Sequence, residues 1–201
     1  HLREEAAASD LPSELYTVAT LTGHAALAKG PYTALVPNGP ARRGQLAQQL
    51  FDVGEVYGDP AEISWSRRED FDFVKGHTLC DDLLSSNNGP SATTARGHQF
   101  PMAFLVGVSG LDAHGIDSDK PLSYVHVDIA GSGVEGGDWQ HGKPTAAPVT
   151  CLSARRWHLS CTPKRSCAVR LAAVCRSGSP APSAIPMERG CVRESLWPTY
   201  S

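Results

Sequence analysis

Residues 14–21 read ELYTVATL, a strand-length run that is apolar through its second half and stops at Thr22-Gly23. A run with no polar face to turn to water is expected to form a strand buried on both faces. Such a strand constrains the fold strongly, because its sheet needs a helical layer on each side. The neighbouring segments can supply those layers. Residues 2–8 (LREEAAA) and 24–29 (HAALAK) are rich in helix formers. Residues 32–36 (YTALV) form a second strand, closed by Pro37-Asn38-Gly39-Pro40. Residues 42–57 are the clearest helix, with Leu46, Leu50, Val53 and Val56 in one stripe and Gly58-Asp59-Pro60 as the stop.

Residues 61–95 are polar and broken by Gly and Pro, which predicts a long irregular stretch packed against the domain. Residues 96–114 are predicted as a buried helix, kinked near Pro101. Residues 122–130 (LSYVHVDIA) read as a further strand, with Tyr124, His126 and Asp128 on one face and Val125, Val127 and Ile129 on the other. The expected architecture is α/β: a partial three-layer domain with a mixed sheet between helices, followed by an irregular or disordered C-terminal tail.

Composition places the tail. Residues 1–150 carry 10 Lys and Arg against 19 Asp and Glu, whereas residues 151–201 carry 8 against 2. Five of the six cysteines also fall in the second part, as Cys151, Cys161, Cys167, Cys175 and Cys191. They contain no C-x-x-C pair, so a zinc ribbon or finger is not indicated. A net charge of −3 gives no reason to expect a nucleic-acid partner. The most apolar stretch, residues 101–108 (PMAFLVGV), is far below the ~18 residues of a membrane span. The charged start, His1-Leu2-Arg3-Glu4-Glu5, is no signal peptide, and with no initiating Met the chain is expected to be a fragment.

Few residues signal chemistry by themselves. His126 and Asp128 share a strand face, where a hydrogen-bonded polar pair at a sheet end is favoured over a metal site or general base. His77 and Cys80 could form a thiol dyad, though a free loop cysteine is the better expectation. Asp70, Asp72, Asp81 and Asp82 are expected to be solvated loop acids rather than a cation site. No phosphate-cradling glycine loop and no G-x-S-x-G elbow is present. The strand end from Ala19 to Gly23 is the favoured location for a ligand, because open α/β sheets bind at the carboxyl ends of their strands.

Three motifs in register carry a resemblance. Thr17-Val18-Ala19-Thr20-Leu21-Thr22-Gly23-His24 resembles the ATLTG strand of the leucine aminopeptidase (cytosol aminopeptidase) family. His126-Val127-Asp128-Ile129-Ala130-Gly131-Ser132 is similar to its H-[LIV]-D-I-A-G strand. Residues 142–149 (GKPTAAPV) are similar to its G-x-[AP]-T-G-x-x-V run. Gly97-His98-Gln99-Phe100-Pro101-Met102-Ala103-Phe104 places it nearest the aminopeptidase-like branch. The resemblance covers residues 1–152, the C-terminal part of the family's catalytic domain; residues 153–201 resemble none of it and are expected to be a foreign, basic tail.

The resemblance implies a cytoplasmic, homo-hexameric metallopeptidase that removes N-terminal amino acids from peptides. Its two divalent ions (Mn, Zn or Mg) bind the free amine and activate a water. It assigns Thr20, Leu21, Gly23 and Ala130 to substrate binding. The family's N-T-D-A-E-G-R run, which supplies metal-binding carboxylates and an arginine, does not occur in this sequence. No catalytic or metal-binding residue is therefore assigned, and the isolated chain is expected to be inactive and to bind no metal. The alternatives are a non-catalytic isoform that docks onto full-length subunits and an unrelated hydrolase using Cys80 and His77. An unpaired sheet edge is also expected where preceding strands would lie.

Overall fold

A computed structural model describes residues 1–135, 142–161 and 168–174. In chain order the elements are α1 (Leu2–Ala8), β1 (Ser13–Ala19), α2 (Gly23–Lys29), β2 (Thr33–Pro37), α3 (Gly39–Arg43) and α4 (Leu46–Tyr57). Next come β3 (Ala61–Ile63), α5 (Arg68–Phe73), α6 (Phe100–Ser109), a 3-10 turn (Leu111–His114) and β4 (Ser123–Asp128). The two-residue strands β5 (Val134–Glu135) and β6 (Lys143–Pro144) follow, then α7 (Val149–Cys161) and β7 (Ala168–Val174).

Five strands form one mixed sheet in the order β3-β2-β4-β1-β7. β1 runs parallel to β4 and to β7, β3 runs parallel to β2, and β2 opposes β4. The alternation along β4 sorts its side chains between two cores, as its sequence pattern requires. Val125 and Val127 pack with Tyr16, Leu35, Leu50 of α4 and Cys151 of α7. Tyr124 faces the other way, with Leu15, Ala6 of α1, and Met102 and Val106 of α6. The expected sheet between helical layers is what the chain forms.

Several boundaries differ from expectation for local reasons. The single helix expected over residues 42–57 is two. Gly44 N–H closes α3 by donating to Pro40, and Gln45 then adopts a left-handed conformation (φ 56°) before α4 begins. The buried helix over 96–114 is shorter, because Arg96 lies at φ 59° ahead of it and Gly110 (φ 70°) ends it. Residues 61–95 hold β3 and α5, too short to show periodicity. Asp70, expected as a solvated acid, is fully buried in α5 and paired with Arg96.

Helix and strand reach into the segment expected to be irregular. Within α7, Cys151 is buried and its amide donates to Asp59 (2.9 Å). Four residues on, Arg155 pairs with Glu14 of β1 at 2.7 Å. β7 covers the edge of β1 that was expected to be unpaired. The expectation for residues 175–201 lies outside the described residues. Among the described residues no helix is long and apolar enough to cross a membrane.

Candidate functional site

The two strand ends of the sequence motifs are knitted together by one carboxylate. Asp128, at the end of β4, is fully buried. It accepts from the Leu21 amide (3.2 Å), the Thr22 amide (3.1 Å), the Thr22 hydroxyl (2.6 Å) and the Ala130 amide (3.0 Å). Thr22 Oγ1 in turn accepts from the Ala25 amide and caps α2. Four donors occupy the carboxylate, so Asp128 shapes the loop and has little capacity left for a cation.

His126 sits one step back along β4 and is also fully buried. It does not share partners with Asp128. Its Nδ1 lies 2.9 Å from Thr17 Oγ1, which lies 2.6 Å from the Tyr124 hydroxyl. Its Nε2 is buried without a partner. Burial pushes the imidazole down to about 4, against the opposing pull of the Asp128 charge, so the ring is neutral at pH 7.

Above this floor lies a cavity of about 690 Å³. Leu21 and Thr22 from the strand end line it, with His126, Phe73 of α5, and Phe100 and Phe104 of α6. Most of the remaining wall comes from residues 84–94. Ser91 ties that wall to the strand end by accepting from the Gly23 amide at 3.1 Å. A Cβ on Gly23 would stand 3.0 Å from the Ala92 methyl, so a larger residue there presses on the wall.

Beside the wall is a cluster that sequence reasoning did not bring together. His24 and His98 stack at 4.9 Å between ring centroids, with their Nδ1 atoms 2.7 Å apart. His98 Nε2 is 2.6 Å from Ser64 Oγ. Burial, helped by His24 and nearby cations, lowers His98 to about 4. The two histidines are 74 positions apart in sequence, and no local spacing could have joined them. Arg96 grips Asp70 by two nitrogens and also donates to the Trp65 carbonyl.

The predicted residues fare differently. Leu21 lines the cavity, but its amide is committed to Asp128. The Ala130 amide is likewise committed to Asp128. Gly23 stands at the wall with its amide on Ser91, and Thr20 is exposed outside the lining. His77 and Cys80 are both exposed and no hydrogen bond joins them, so the thiol dyad is not assembled. Among the described residues no group of three His, Cys, Asp or Glu side chains is placed to hold a metal ion.

No family model matches the chain. A Caenorhabditis elegans protein named "Putative aminopeptidase W07G4.4" is 45% identical over 129 residues, which is 64% of this chain and 24% of that protein. Over that stretch the chain resembles a protein that bears an aminopeptidase name. It spans about a quarter of that relative's length. The structure of the Caenorhabditis elegans leucine aminopeptidase LAP1 matches 61% of this chain and 22% of its own, at 24% identity and a TM-score of 0.43. A superposition that loose carries no argument about the site. The metal pair implied by the aminopeptidase motifs does not fit the described residues. Asp128 is already saturated, and His126 offers a single covered nitrogen.

Proposed function

We propose that this chain forms the substrate-side wall of a metal-dependent, leucyl-type aminopeptidase that removes N-terminal residues from peptides. The 45% identity over 129 residues carries the reading. In it, Thr20, Leu21, Gly23 and Ala130 border the substrate, and the apolar cavity beside Leu21 suits an apolar side chain. Because the Leu21, Gly23 and Ala130 amides are already donated, these residues act through carbonyls and shape rather than as amide donors.

The two divalent ions (Mn, Zn or Mg) belong to the intact protein in this proposal. Their ligands do not fit the described residues, and no step is routed through them here. The cytoplasmic homo-hexamer is likewise proposed for the intact protein. The test is an aminoacyl reporter assay on the purified 201-residue chain with manganese or zinc added. No metal-dependent release of product is expected. Turnover that appears with metal and vanishes with a chelator would mean that these residues hold a catalytic metal site, and would overturn the division of roles.

A further inference from the structure

The contact between His24 and His98 depends on how many protons the two rings hold. Their Nδ1 atoms face each other at 2.7 Å, so one carries a proton and the other is bare. Either assignment suits the rest of the site, because Ser64 Oγ, 2.6 Å from His98 Nε2, can donate or accept. The neutral pair has two bare nitrogens, and one of them faces the partner ring. A first added proton goes to the nitrogen that faces away, and the bond survives. A second has the facing nitrogen alone to take. Two N–H groups and two positive charges then oppose each other, and the contact is lost.

The contact sits on a seam. On one side is α2, which buries Ala25 but leaves Leu27 73% exposed. On the other is the segment 84–98, whose Gly97 backbone presses on His24: a Cβ there would stand 3.1 Å from the His24 Cβ. The Gly23–Ser91 bond crosses the same seam. The far side of the segment is fixed without any imidazole, by Arg96 on Asp70 of α5 and by the Leu84 amide on the Val74 carbonyl. The charged and titratable groups facing His98 are His24 and Lys29 of α2, Arg96, and Asp70 of α5. Burial, His24 and the two cations favour the neutral ring, and Asp70 opposes them, which takes His98 from 6.5 to about 4. A released ring returns to its ordinary value. Between those two values the open form binds more protons, so each unit fall in pH raises its population about tenfold. We propose that the His24–His98 pair is an acid-released clasp, which holds α2 against residues 84–98 and opens that seam beside the cavity while the sheet stays folded. Its effect on a substrate rests on the aminopeptidase reading; the clasp does not, because its opening is read from the backbone with no substrate present.

The test is hydrogen exchange of the 201-residue chain at pH 7 and pH 5, corrected for the intrinsic pH dependence of amide exchange. Peptides spanning residues 21–29 and 84–98 should exchange faster than those of β2 and β4 at both pH values. They should also exchange about tenfold or more faster at pH 5 than at pH 7. His24→Asn supplies a carboxamide that can accept from a protonated His98 as well as donate to a neutral one. In that variant the seam should change by less than about twofold over the same range. Seam peptides that exchange in step with the sheet at pH 5 overturn the proposal, and so does a His24→Asn chain with the wild-type pH response. Ring-nitrogen NMR of the wild-type chain at pH 7 needs no variant: one facing Nδ1 should be protonated and the other bare, and two alike would overturn the clasp.

Discussion

Asp128 is the side chain on which most local geometry depends. Its two oxygens bring the ends of β1 and β4 together through three amides and one hydroxyl. Asp128→Asn replaces one acceptor oxygen with a carboxamide NH2, a donor that faces donors. The expected loss is about 2–4 kcal/mol in urea unfolding, because a charge-assisted acceptor is replaced by a clash of donors. The buried histidines set a second expectation. His98 and His126 both titrate near 4 in the folded chain, against 6.5 when exposed. Between those values the unfolded chain binds more protons than the folded one, so stability falls as pH drops from about 6.5 towards 4. The loss is on the order of 3 kcal/mol for each ring at the bottom of the window. Thermal melts at several pH values above 5, where most carboxylates stay ionised, would show the decline; a flat melting temperature would contradict it.

At the scale of elements, α7 packs along α4 and is tied to β1 by an ion pair. Arg155 pairs with Glu14 at 2.7 Å, with both side chains mostly buried, and Glu14 also accepts from the Tyr16 hydroxyl. Arg155→Ala leaves the Glu14 carboxylate mostly buried without its cation, at an expected cost of about 3–5 kcal/mol. Hydrogen exchange should quicken throughout α7 while β2 and β4 keep their protection. The contact also marks what could be read from sequence. β1, β2, β4 and the helical stripe around Leu46 and Leu50 announced themselves, since alternation or period 3.6 decides burial there. β3 and α5 did not: three and six residues are too few for a period, and tertiary contacts fix them. Asp70 shows the same lesson in one residue. Its sequence neighbours are those of a solvated loop acid, and only the approach of Arg96 from 26 positions away turns it into a buried ion pair. Of the site, Leu21 beside the cavity was legible from a strand end. The His24–His98 pair and the orphan nitrogen of His126 were not, because both arise from the meeting of distant segments.

For the whole molecule, the sheet order decides more than its strand count. β1, near the start of the chain, has β4 on one side and β7 on the other. Its Thr17 meets a partner 109 positions later, at His126. A ribosome adding roughly 5–20 residues per second would keep this apolar strand waiting on the order of ten seconds for its first neighbour, and longer for its second. β2 has to wait for β4 as well, although β3 is made soon after it. β1 therefore waits for β4 while more than half of the residues that follow it are made. Synthesis in a chaperone-depleted translation system should yield mostly aggregate, and supplying a holdase that binds apolar extended segments should recover soluble chain. For the central strands of this sheet, the order in which residues are joined is not the order in which they pair.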